Sequence, residues 1–234
     1  MSRQATMTNE TSARKQAVKR LMNQTPTEKR ADTQRRLLEA GSIVIAEHGI
    51  GRASIGLICE KAGFTRGAFY SNFTDLDHFV EQVARREWDA TIAIFRDSLD
   101  TIMEKDAPAA PEGDVHARGA ALAQAMLRAV PRDRQFRLLW SELGDFSIRN
   151  PEDSVRLRET ILGLRHEISG FVQEVLRRYG LRPIVAEDDI VDMLLGLNAR
   201  STRNRLLGDE ATDGSELIDR LLPLIMPALS ELDD

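Results

Sequence analysis

Arg66, Tyr70, Thr65 and Ser54 lie in one short stretch, Ala53–Phe73, whose side chains suit hydrogen bonding to a polyanion. The Arg66 fork donates twice and matches guanine O6 and N7. Gly67 and Ala68 beside it permit close backbone approach, and the Ala68 methyl suits a thymine methyl. The hydroxyls of Ser54, Thr65 and Tyr70 are spaced for phosphate oxygens, which fix register without reading sequence. Lys61 adds a further phosphate contact, Ser71 shares the outward side, and Asn72 reaches a base edge or a phosphate. These nine residues are the candidate contacts to duplex DNA.

Such groups need elements to present them. Ile55, Ile58, Cys59 and Ala62 recur at helical spacing, so a first helix has one apolar face. Gly63 suits the left-handed residue that ends a helix, and Thr65 caps a second one. In that second helix Phe69 and Phe73 point one way, while Arg66 with Tyr70 and Gly67 with Ser71 point the other. A helix this short is unstable alone and needs a neighbour. A helix-turn-helix answers the need: the first helix braces and the second enters the major groove.

Residues from about Gln34 to Phe79 resemble the DNA-binding domain of the TetR family of transcriptional regulators. The resemblance rests on Leu37-Leu38-Glu39-Ala40-Gly41, on the His48-Gly49 helix end, on Ser54-Ile55, and on the run from Ala62 to Phe73. Ala53 and Leu76 depart from the threonine and lysine common in the family at those positions. The resemblance implies an all-α chain: an N-terminal three-helix helix-turn-helix domain, then a larger helical regulatory and dimerisation domain. It also implies a homodimer on a palindromic DNA operator, released when a small-molecule effector fills a pocket in the larger domain. Trp88, Phe95, Met126, Phe136, Trp140, Leu143, Phe146, Leu164 and Phe171 supply candidate apolar lining, with Arg137, Glu142 and His166 as polar anchors. The family pairs its two C-terminal helices with a second copy. Ile190, Met193, Leu194 and Leu197 on one, with Leu217, Leu221, Leu222 and Ile225 on the other, are the candidate dimer interface.

Composition agrees with helix. Aromatics make up 5% of the 234 residues, and long β-branched runs are absent. The single cysteine, Cys59, falls on a helix's apolar face and reads as core. Net charge is −5, which alone argues against a nucleic-acid partner. Its distribution reverses that: residues 1–74 hold 12 lysines and arginines against 6 acids, and residues 75–234 hold 20 against 31. No apolar run approaches the roughly 20 residues that span a bilayer, and the N-terminus lacks a signal peptide's apolar core. The expected location is the cytoplasm, with no membrane partner.

Residues 1–31 read as a polar, basic, flexible arm, residues 32–78 as the helix-turn-helix domain, and residues 79–234 as the ligand-binding and dimerisation domain. The lead helix is expected from Asp32 to His48, and a long linking helix after a Thr74 cap. Further helices are expected over 115–129, 131–147, from Asn150-Pro151 to Tyr179, over 186–207 and over 215–229. Pro223 and Pro227 should kink or break the last one.

Catalysis has little support. None of the four histidines follows a glutamate by three residues, as a di-iron bundle requires, and no nucleophile elbow or phosphate loop occurs. No cofactor or metal is expected. Two other readings keep the DNA-binding head: a regulator without a ligand, constitutive or architectural, and an activator. If the arm follows phosphates, removing residues 1–30 flattens the salt dependence of DNA binding; an unchanged slope removes the arm from the interface.

Overall fold

The computed structural model describes residues 25–104, 115–131, 133–178, 180–208 and 214–232. Its first helix, α1 (Pro26–His48), opens on a capping box. Thr25 Oγ1 accepts from the Glu28 N–H at 3.2 Å, and Glu28 Oε2 accepts from the Thr25 N–H at 2.7 Å. Pro26 takes a first-turn place, where its missing N–H costs nothing. The helix therefore begins at Pro26 and not at Asp32. Lys29 and Arg30, assigned to the arm from sequence, belong to the head. The rest of the arm, residues 1–24, lies outside the described residues, so a truncation that probes the arm alone must stop at residue 24.

A 3₁₀ turn (Ile50–Arg52) leads to α2 (Ile55–Ala62) and then α3 (Arg66–Tyr70). The Ser54 hydroxyl oxygen accepts from the Leu57 N–H, and that of Thr65 from the Ala68 N–H. Gly63 between the helices has φ 72°, a left-handed conformation that penalises a Cβ. Arg36 of α1 pins this turn. It donates to the Ala62 carbonyl at 3.1 Å, and its guanidinium lies 4.6 Å from the Phe64 ring centre.

The long helix α4 (Leu76–Glu104) is capped by Asp75 and not by Thr74. Asp75 Oδ1 accepts from the His78 N–H at 2.7 Å, and the Thr74 hydroxyl donates to Asp75 Oδ2 at 2.9 Å. Those bonds hold the Asp75 carboxyl below its ordinary range. Phe69, Phe73 and Phe79 meet beneath α3 with ring centres 4.8–5.3 Å apart. Gly41 of α1 makes room for them: a Cβ there would sit 2.4 Å from the Phe79 ring. Leu76, at the family's usual lysine position, packs against this core.

The remaining helices are α5 (Val115–Ala129), α6 (Arg134–Arg149), α7 (Val155–Arg178), α8 (Glu187–Leu206) and α9 (Gly214–Leu229). Asp133 caps α6, so that helix starts at Arg134 and not at Pro131. Asn150-Pro151 opens a turn before α7 instead of its first helical turn. Two short strands, β1 (Leu181–Pro183) and β2 (Ser230–Leu232), pair antiparallel with Leu181 opposite Leu232. They add a small ribbon to an otherwise helical fold. Leu139, Leu143 and Leu157 join the core of the head, so α6 and α7 pack directly on it. A second core gathers Trp88, Ile92, Phe95, Ile168 and Val191. A third gathers residues of α5, α7, α8 and α9 around Ile218 and Leu222.

The helix α9 is not broken at Pro223 and Pro227, a break being the second of the two outcomes expected there. Pro223 has no N–H for the carbonyl of Asp219, four residues earlier. Gln124 Nε2 of α5 donates to that carbonyl instead, at 3.2 Å. Arg128, one turn further along α5, meets the Asp219 carboxylate at 2.5 Å. A neighbouring helix thus replaces the bond that proline removes. Replacing Gln124 by Leu leaves that carbonyl without its donor and is expected to cost about 1–3 kcal/mol in urea unfolding. An unchanged midpoint would show that the carbonyl needs no donor from α5.

Candidate nucleic-acid interface and interior cleft

Phe69 is fully buried and fixes the roll of α3, so its opposite side is bare. Thr65, Arg66, Gly67, Tyr70 and Ser71 are exposed there, and Ala68 is half-buried. Tyr70 is 58% exposed with no packing role beyond an edge contact to Phe69. The Arg66 guanidinium lies over Gly56 of α2, where a Cβ would come within 3.2 Å of Nη2. It forms no ion pair among the described residues, so its five donors remain available to a ligand. Ser54 and Thr65 use their oxygens as helix caps and keep their hydroxyl hydrogens for an outside acceptor. Lys61 is exposed and pairs with Glu47 at 3.3 Å. Cys59 is buried beneath this surface, and burial pushes its thiol pKa up, as suits a core residue.

Seven of the nine sequence candidates thus border one surface, while Lys61 turns toward Glu47 of α1. Asn72 plays a different part. Its Nδ2 donates to the Ala68 carbonyl at 2.8 Å, and its Oδ1 accepts from Arg30 Nε at 3.4 Å. Arg30 Nη2 also donates to the Ser71 carbonyl at 3.1 Å. Both functional ends of Asn72 thus make contacts that close the end of α3. Sequence reading placed Arg30 in the basic arm, before the first helix. The capping box Thr25-x-x-Glu28 was the signal that would have placed it.

Behind the head, α4, α6, α7 and α8 enclose a cleft of about 460 Å³. Four of the proposed lining residues face it, Phe95, Phe136, Trp140 and Leu164, together with Arg137. Phe171 borders a smaller apolar recess of about 50 Å³, which shares Phe95, Ile168 and Leu195 with the cleft. Other expected lining residues lie elsewhere. Leu143 and Phe146 pack into the head core, because α6 turns that side toward α1. His166 is exposed on α7, and Trp88 is buried with Nε1 donating to Glu167 at 2.7 Å. Glu142 serves the head: its Oε1 accepts from the Ile50 N–H at 3.0 Å. The Met126 side chain lies outside the described residues. Sequence reading missed the contribution of α8, where Asp192, Leu195, Asn198 and Thr202 line the cleft. Asn198 in an apolar helical stripe was the available signal.

The C-terminal helices spend much of their apolar surface inside the chain. Ile190, Leu194 and Leu222 are buried in the third core and are not free to meet another copy. Met193, Leu197, Leu221 and Ile225 are half-buried, and the Leu217 side chain lies outside the described residues. Leu224 and Leu207, which sequence reading did not choose for an interface, are 74% and 73% exposed. Among the described residues no helix is long and apolar enough to cross a membrane, and no group of acidic, histidine or cysteine side chains is arranged to hold a metal.

The sequence pattern that defines the bacterial regulatory proteins of the tetR family matches residues 37–83. No curated protein matches the chain. Among solved structures, a transcriptional regulator from Rhodococcus sp. Rha1 is similar at 19% identity and TM-score 0.61, over 86% of this chain and 98% of that one. The fatty acid degradation regulator FadR from Bacillus halodurans is similar at 16% identity and TM-score 0.59, over 87% and 96%. The ketosteroid transcriptional regulator KstR2 of Mycobacterium tuberculosis is similar at 18% identity and TM-score 0.50, over 89% and 97%. At these identities the likeness establishes the fold. The matched pattern covers α2, α3 and the buried positions of α1 and α4 that support them. Residues 37–83 thus carry the pattern of the tetR family's DNA-binding head, and the fold behind them is similar to that of solved transcriptional regulators.

Proposed function

We propose that the chain is a repressor that binds a palindromic operator as a homodimer and leaves it when a small molecule occupies the cleft. The observation that carries this reading is the double duty of α6. Arg137 and Trp140 line the cleft, while Leu139 and Leu143 lie in the head core and Glu142 holds the Ile50 N–H. A ligand that shifts one end of this helix shifts the other, provided it favours one of the two arrangements. The cleft's size, within the range of small-molecule sites, supports a sensor over a regulator without a ligand.

Residues 32–78, extended back to Pro26, form the reading head in this proposal, and residues 79–234 the sensing and pairing part. The outer faces of α8 and α9, with Leu207, Leu221, Leu224 and Ile225, meet a second copy. One α3 reads few base pairs, and a twofold pair places two of them about one helical turn or a multiple apart. Ser54, Lys61, Thr65 and Tyr70 contact phosphates, while Arg66, Gly67 and Ala68 face base edges.

Three measurements test these assignments. Arg66→Ala should weaken the operator by about 1–3 kcal/mol and relax preference at one position of each half-site. Asn72→Ala should instead weaken all duplexes alike, because it loosens the end of α3 without touching a base. Titrating both variants against duplexes changed one base pair at a time separates the two roles. A preference lost at one position in Asn72→Ala would return that residue to base readout. Leu224→Glu should convert the dimer to a monomer in sedimentation equilibrium. A persistent dimer would move the interface off α9.

A further inference from the structure

The cleft's charges and unpartnered polar atoms point to one class of ligand. Among its described lining residues three are charged: Arg137, Arg165 and Asp192. The charge of Arg165 is compensated, with Nη2 at 2.8 Å from Asp192 and Nε at 4.0 Å from Asp188, although that Nε–H is buried without a hydrogen-bond partner and also asks for an acceptor. Arg137 forms no ion pair with any described carboxylate. It is half-buried in a mostly apolar wall, where an uncompensated cation is costly. Trp140 stands three residues along α6, so the two side chains share a helix face. Its Nε1–H is buried and has no hydrogen-bond partner. An indole N–H only donates and a guanidinium only donates, so this pair asks for an acceptor that carries negative charge. Asn198 Oδ1 is a further buried polar atom without a partner, an acceptor that a hydroxyl on the ligand body would satisfy.

The rest of the space asks for something apolar. Phe95, Ile168 and Leu195 are common to the cleft and the smaller recess, and so stand between them. The recess beyond is lined by Leu127 and Met226 among other apolar side chains and has room only for a narrow end.

We propose that the cleft takes a monoanionic amphiphile: a carboxylic acid whose head meets Arg137 and Trp140 and whose apolar body runs past Phe95 toward the recess. This rests on the reading of the cleft as the effector site, and the experiment separates the two. Purified full-length protein is titrated calorimetrically with dodecanoate, 1-dodecanol and dodecyltrimethylammonium, which share a tail and differ in head charge, each below its aggregation concentration. Dodecanoate should bind about tenfold or more tighter than the alcohol, as expected for a charge-assisted hydrogen bond, and the cation weakest. Arg137→Gln should bring dodecanoate down to the alcohol's level while the alcohol is little changed. Trp140→Phe, which keeps an aromatic ring and removes the N–H, should weaken dodecanoate more than the alcohol. The melting temperature of each unliganded variant shows that the fold is retained. Equal binding of the three probes, tightest binding of the cation, no binding of any probe, or an acid preference that survives Arg137→Gln would overturn the proposal. Acid binding that obeys these rules yet leaves operator affinity unchanged would sustain the ligand class and remove the release reading. Release by the alcohol or the cation but not by the acid would do the reverse.

Discussion

Packing of Phe69 and Phe73 against Phe79 is the constraint on which the rest of the structure depends. A helix of five residues has almost no stability of its own, since nucleation consumes what its few hydrogen bonds provide. The three rings supply the missing anchorage and also set the angle at which α3 leaves the surface. Because Phe79 belongs to α4, the same cluster ties α3 to the long helix that borders the cleft. Gly41 permits α1 to close over the cluster, which is why the head has no slack between its first helix and α4.

The head is equally bound to what lies behind it. Leu139, Leu143 and Leu157 bury their side chains in the head's own core, so the boundary between the two parts of the chain is a shared interior and not a linker. Glu142 adds a polar tie to a backbone N–H beside Gly49, where the chain turns from α1 toward α2. A rigid connection of this kind transmits displacement, because packed cores shift between discrete arrangements instead of deforming smoothly.

The head was legible from sequence because its signals are local. Gly63 with its positive φ, the Thr65 cap and the four-residue spacing of the phenylalanines each lie within a turn of what they control. Failures came where the deciding partner is remote or where one pattern has two readings. Nothing near Pro223 announces that Gln124, far back in the chain, will serve the Asp219 carbonyl. Ile190, Leu194 and Leu222 are as apolar as any interface residue, and periodicity does not say whether a stripe faces its own core or a second copy. The inward side of α6 splits between cleft and head, so Trp140 lines the cleft as well as touching the head core, while Leu143, three residues on, lies wholly in that core. The start of α1 was a different kind of miss, since Thr25, Pro26 and Glu28 carry the signal themselves and the basic composition around them obscured it.

Ser54 and Thr65 carry one more consequence. Each hydroxyl oxygen is already tied to a helix N–H, which settles the side-chain rotamer before any partner arrives. The free hydrogen on each can then swing only about a fixed C–O axis. Association with a phosphate there immobilises little that was previously free, so the entropic penalty that long basic side chains incur is largely avoided. Two small residues that begin helices thereby hold their hydroxyl groups preorganised at the surface.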